Sequence, residues 1–214
     1  MPVHKTAILI GEVILGSRTY VGPYSVIGWP ATDILINNDV IPTDIPKLSS
    51  RVVKIDADSM LLSHVVVGEG TVLGASVWCD HYSRIGSGTS IGDGVQIMYN
   101  AQIYDRVKIG AEAWVGGFVC NDAIIESRSI MLGSLIHKFT DVIEGTPEKA
   151  PIVREEAFVG MGAIIIGNVE VGPRAYISAG SLLTKSAVGG RLYVGTPARD
   201  AGPAPSPFKV RNRS

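Results

Sequence analysis

From residue 55 onward the chain repeats an apolar residue at every sixth position. Ile55, Leu61, Val67, Leu73, Cys79, Ile85, Ile91, Ile97, Ile103, Ile109 and Val115 form an unbroken series. Four positions after each stands a small or β-branched residue: Ser59, Val65, Thr71, Val77, Ser83, Thr89, Val95, Ala101, Val107, Ala113 and Val119. Glycine often follows the apolar position, as at Gly68, Gly74, Gly86, Gly92, Gly110 and Gly116. A period of six fits neither the 3.6 of an amphipathic helix nor the alternation of a half-buried strand, so it predicts a solenoid. Each hexad supplies one short strand and one corner. Three hexads close a triangular coil of about 18 residues, and successive coils stack about 4.8 Å apart. The apolar series then points inward, and the small residue fits where the chain turns.

The same pattern begins at Leu9, Leu15, Val21 and Ile27, and is interrupted by an excursion over residues 29–51 that holds Pro30, Pro42 and Pro46. After Val119 the stretch Cys120-Asn121-Asp122 breaks the series, and Ile124, Ile130 and Ile136 are expected to carry it on in a shifted register. A second excursion covers 138–151, and the repeat resumes at Val153, Val159, Ile165, Val171, Ile177 and Leu183 before ending at Gly189-Gly190. The expected architecture is all-β: one domain of about eight coils over residues 1–202, with a loosely ordered tail over 203–214. Residues spaced by a coil should form outward ladders, one of His64, Tyr82, Asn100 and Phe118, another of Trp78, Gln96 and Trp114. Outward aromatic ladders fit a subunit interface with a ligand cleft along it.

Charge and composition narrow the function by exclusion. Across 214 residues the net charge is −1 and the basic residues are scattered, so there is no footprint for nucleic acid or an anionic membrane. No run reaches the ~20 apolar residues of a membrane span, and the start has no signal-peptide cleavage site, which leads us to expect a cytoplasmic protein. Two cysteines are too few for a disulfide framework; Cys79 occupies an inward position and Cys120 has no histidine beside it in sequence.

This pattern resembles the hexapeptide-repeat acyltransferases. The resemblance implies a left-handed parallel β-helix, since spacing alone gives no hand. It sharpens over residues 150–199, where the segment from Ala150 to Ser186 and then Gly195-Thr196-Pro197-Ala198-Arg199 resembles the end of the acetyl-coenzyme A-dependent members. By that resemblance acetyl-coenzyme A is the co-substrate, lying along a coil edge between subunits of a homotrimer, against Gly162, Ala163, Ala179, Gly180 and Ser181. Lys185, Arg191 and Arg199 are candidates to meet its phosphates.

Transfer from a thioester needs a base for the attacking amine or hydroxyl, and histidine suits neutral pH. His137, which opens an excursion, resembles the base of the maltose and galactoside acetyltransferases. His81, four residues before Ile85-Gly86, resembles that of the acyltransferases acting on nucleotide-linked sugars. Residues 97–104 and 115–122 resemble the nucleotide-sugar N-acetyltransferases, implying that Asn100 positions the acceptor amine. The same resemblance and the ladder make Asn121, Asp122, His64 and Tyr82 substrate-binding candidates. The reading is acetyl transfer to an amino or hydroxyl group of a sugar, with no metal. A zinc site like that of the gamma-class carbonic anhydrases needs a histidine spacing that His64, His81 and His137 lack. A non-catalytic scaffold is the alternative, and cofactor binding discriminates it.

Overall fold

The computed structural model describes residues 3–31, 51–141 and 146–205, and structural statements below concern these. Short strands wind into three parallel sheets that form the faces of a prism. Following one turn, the chain runs through sheet A (Trp78–Cys79), sheet B (Arg84–Ile85) and sheet C (Ser90–Ile91), then returns to sheet A at Gln96–Ile97. Each strand pairs in parallel with its equivalents one coil away, as Ile85 does with Val67 and Ile103. Every residue of the apolar series from Ile55 to Val115, and every companion small residue, is buried. Full burial of each large side chain stabilises by roughly 1.5–3 kcal/mol, so the stack of like on like is the core. Buried hydroxyls donate to backbone carbonyls beside the corners, as Ser59 does to Gly74 at 3.0 Å and Thr71 to Gly86 at 2.9 Å. At the lower end Leu9 is 42% exposed, because no further described coil covers it.

The register break after Val115 differs from the expectation. The inward residues are Ile125, Met131 and Leu135, all fully buried, whereas Ile124 and Ile136 are only half-buried and face outward. The cause lies at the corner from sheet A to sheet B. Elsewhere this turn spans four residues between strands, but Val115 is followed by Gly116-Gly117 and then Phe118, and Met131 by Leu132-Gly133 and then Ser134. Partners across sheet B are therefore 16 residues apart instead of 18, as Phe118 pairs with Gln102. The tight turns require glycine. Gly117 adopts φ +70°, and a Cβ there would lie 2.1 Å from the carbonyl oxygen of Gly133. A Cβ at Gly133 would lie 2.3 Å from the carbonyl oxygen of Ala163.

Both excursions leave the prism at the corner from sheet B to sheet C. Most of the first, residues 32–50, lies outside the described residues. Its two stems are held by the buried Glu69 carboxylate, which accepts from the backbone N–H groups of Ala31 and Arg51 at 3.2 Å each and pairs with the Arg51 guanidinium at 3.1 Å. In the second, Phe139–Asp141 pairs antiparallel with Thr146–Pro147. At the upper end Arg191–Val194 joins sheet A and folds back on Arg199–Pro203. The tail beyond 205 lies outside the described residues.

Replacing Gly117 with alanine should cost about 3 kcal/mol or more, since backbone must move to admit the methyl. Gly180→Ala, where a Cβ meets nothing within 4 Å, should cost only about 1–2 kcal/mol for its left-handed backbone. Thermal unfolding of the two variants checks this, at roughly 2–4 °C per kcal/mol for a domain of this size.

Candidate functional site

The order in which the chain visits the sheets assigns each candidate residue to a corner. The corner from A to B carries, in ascending coils, Ser63-His64, His81-Tyr82, Tyr99-Asn100, the two short glycine turns, Met161-Gly162 and Ala179-Gly180. The outward ladder expected of His64, Tyr82 and Asn100 is present, all three in the left-handed region with φ of 60°, 62° and 55°. Phe118 does not join it. The shortened turn places Gly117 above Ala101, has no residue above Asn100, and sets Phe118 on sheet B, where its ring packs 4.9 Å from that of Tyr104. The second ladder is confirmed, since Gln96 pairs with both Trp78 and Trp114.

This corner changes character along its length. In the lower coils it is aromatic: the His64 ring lies 5.1 Å from that of Tyr24 and 4.7 Å from that of Tyr82, and Tyr99 meets Tyr82 edge-on. In the upper coils it is stripped at Gly162 and Gly180, which are exposed with open space where a Cβ would stand, and Met161 is the large side chain that projects beside them. Between them the two short turns remove the projecting residues and leave the edge notched. Ala179 is exposed on the bare part, whereas the side chains of Ala163 and Ser181 point into the core. Ser181 Oγ is occupied there, accepting from the Gly195 N–H at 3.1 Å.

The remaining candidates do not gather on that corner. Lys185 is exposed at the corner from B to C. Arg191 is committed to Asp200 through a forked pair at 2.9 Å. Arg199 is exposed beside the upper end and, among the described residues, bonds only the Ala198 carbonyl, at 3.1 Å. Asn121, Asp122 and His137 also belong to the corner from B to C. Asn121 caps the turn beneath it, its Oδ1 accepting from the Asp105 N–H at 2.9 Å. Asp122 forks onto Arg106 at 2.8 and 2.9 Å, and this pair, with a smaller contribution from His137, holds its carboxyl below the usual range. The buried Cys120 thiol is pushed up to about 12 by desolvation, so it is no nucleophile near neutral pH.

The two candidate bases differ in which ring nitrogen is free. His81 Nδ1 lies 3.2 Å from the Ser63 backbone N–H, which can only donate, and 2.5 Å from Ser63 Oγ. Nδ1 is thus the acceptor, and neutral His81 carries its proton on Nε2. His137 Nδ1 instead lies 3.2 Å from the Glu148 carbonyl oxygen, which can only accept. Nδ1 there holds the proton, and the Nε2 lone pair has no partner among the described residues. Of these two, His137 has the ring nitrogen with a free lone pair among the described residues.

One further residue has no counterpart in the sequence reading. Arg84 projects from sheet B between the two corners, its guanidinium 4.7 Å from the centre of the Tyr104 ring, with Nη1 buried and without a hydrogen-bond partner among the described residues. The only signal was a charged residue on an outward position otherwise held by Val66 and Gln102.

No family model matches the chain. A protein of Schizosaccharomyces pombe described as a serine acetyltransferase is 33% identical over 117 residues, covering 52% of this chain and 42% of that protein. The bifunctional protein GlmU of Clostridium botulinum is 30% identical over 136 residues, 63% of this chain and 27% of its own length. The chain thus spans less than half the length of these relatives. In fold it is similar to the crystal structure of UDP-N-acetylglucosamine O-acyltransferase from Moraxella catarrhalis, with TM-score 0.62, 20% identity and coverage of 95% of this chain and 75% of that one. The six-residue repeat wound into this prism is similar in sequence to these two relatives and has the left-handed parallel β-helix fold of the O-acyltransferase.

Proposed function

We propose that this protein is an acetyl-coenzyme A-dependent acyltransferase that acetylates an amino or hydroxyl group of a nucleotide-linked sugar, with His137 as general base. The observation that carries the reading is the His137 ring, whose Nδ1 is bound to a carbonyl and whose Nε2 is free. Nε2 takes the proton as the acceptor nitrogen or oxygen attacks the thioester carbonyl. Collapse of the tetrahedral intermediate expels the coenzyme A thiolate, which recovers that proton from the imidazolium.

The corner at Gly162, Ala179 and Gly180 suits the pantetheine arm, since at these three residues no large side chain would hold it away from the backbone, and the exposed Met161 offers it an apolar flank. Arg199 near its upper end, and the exposed Lys185 on the other corner, are the cations left for phosphate once Arg191 is tied to Asp200. On one chain the bare corner and His137 lie on opposite edges of sheet B, roughly 15 Å apart by strand geometry. A site needing both closes between two copies, so the functional form is a homotrimer with three such clefts. Asn100, His64 and Tyr82 on one wall and Asp122 on the other would then face the acceptor, while Arg84 supplies a guanidinium for its phosphate. In this reading His81, with Nδ1 on Ser63, braces its turn. The name of the Schizosaccharomyces relative makes L-serine the rival acceptor.

Coenzyme A at a hundred times its dissociation constant should stabilise the protein by about 2.7 kcal/mol, read as a rise in unfolding temperature. Gly180→Val should abolish that rise while leaving the apo protein folded. No shift in the wild type at millimolar coenzyme A would favour the scaffold. His137→Ala should lower kcat by about 10²- to 10⁴-fold, and His81→Ala by far less, in an assay offering UDP-amino sugars, UDP-N-acetylglucosamine and L-serine. With a sugar nucleotide, Arg84→Ala should raise KM about tenfold at nearly unchanged kcat. Turnover of L-serine alone would overturn the sugar assignment.

A further inference from the structure

We infer that Glu148 is a positioning residue for the reaction, fixing the tautomer and orientation of His137 from the far side of the second excursion. The inference rests on His137 being the base.

Glu148 meets the chain at four points. Its carbonyl oxygen lies 3.2 Å from His137 Nδ1, and its N–H donates to the Lys138 carbonyl at 2.7 Å. Its carboxylate accepts from the Asn168 backbone N–H at 3.2 Å and pairs with the Lys138 ammonium at 3.4 Å. The Asn168 contact reaches the next coil of the prism, a part of the structure independent of the hairpin. Gly167, with φ +85°, lets this happen, since a Cβ there would lie 2.9 Å from Glu148 Oε2. The peptide that receives the Nδ1 proton is therefore tied to the rigid solenoid through its own side chain.

The consequence is chemical. A carbonyl that stays in place holds the proton on Nδ1, keeps the lone pair on Nε2 and stabilises the imidazolium that forms during transfer. Without the carboxylate, the peptide carrying that carbonyl is held to the prism only through the hairpin and through the chain's re-entry at Ile152–Val153, four residues on, which leaves the ring freer to turn or to exchange tautomers. A glutamate in a loop otherwise reads as a solvated surface charge, so the role lies in the Asn168 contact.

The test compares Glu148→Ala and Glu148→Gln in the full-length chain. Glutamine keeps an oxygen for the Asn168 N–H and loses only the charge. Glu148→Ala should lower kcat about tenfold with KM for both substrates within twofold of wild type, and Glu148→Gln should recover most of it. The ¹⁵N resonances of His137 should move from the Nδ1–H tautomer in wild type towards a mixture in Glu148→Ala. Unchanged kcat and ¹⁵N shifts in Glu148→Ala, alongside an inactive His137→Ala, would overturn the positioning role alone. Full activity in His137→Ala would overturn the base assignment and this role with it.

Discussion

The structure depends on one steric condition: in each strand the side chain that faces inward must land on its equivalent in the coils above and below. Parallel pairing fixes the vertical spacing, and the prism has no interior volume for anything except that stack. Variation is accordingly confined to corners and outward positions. Both excursions leave where sheet B gives way to sheet C, and neither displaces an inward residue. The excursion at Glu69 shows how such a departure is anchored, with one buried carboxylate receiving the backbone at both stems.

Much of this was legible in the sequence. The hexads from Ile55 to Val115 specify strands, corners and core together, because six residues per side is a count that survives without any contact information. The coil from Ile124 to Ile136 reads one residue out of phase, whereas the series from Val153 to Leu183 is buried as its spacing predicts. Ile124-Ile125 and Ile130-Met131 each offer two adjacent apolar residues, so hydropathy does not say which points inward; the two-residue glycine turns decide it. The same turns moved Phe118 off the His64 ladder. The choice between His81 and His137 was illegible for a different reason. In the proposed reading it rests on Ser63 and Glu148, which lie 18 and 11 residues away along the chain and act through backbone groups that carry no sequence signal.

The corners also divide the labour chemically. One edge is aromatic below and bare glycine above; the other is charged and holds the histidine whose lone pair is free. Neither edge alone has both an unobstructed backbone and a base. The separation is a property of the prism, since strands of two or three residues cannot bring two corners together, and it makes association of copies a chemical requirement of the proposed activity.

The residues that end successive turns at this corner, Ala101, Gly117, Gly133 and Ala163, follow one another by single coils, so the distance between the acceptor level and the upper glycine level is set by a whole number of strand spacings. Such a scaffold cannot adjust that distance continuously. Loss or gain of one coil changes it by about 4.8 Å and leaves the core continuous, whereas any smaller change must come from side-chain length. Divergence in the size of molecule bridged should therefore proceed by large discrete jumps in coil number, with fine adjustment left to residues such as Tyr99 and Met161 that border the notch.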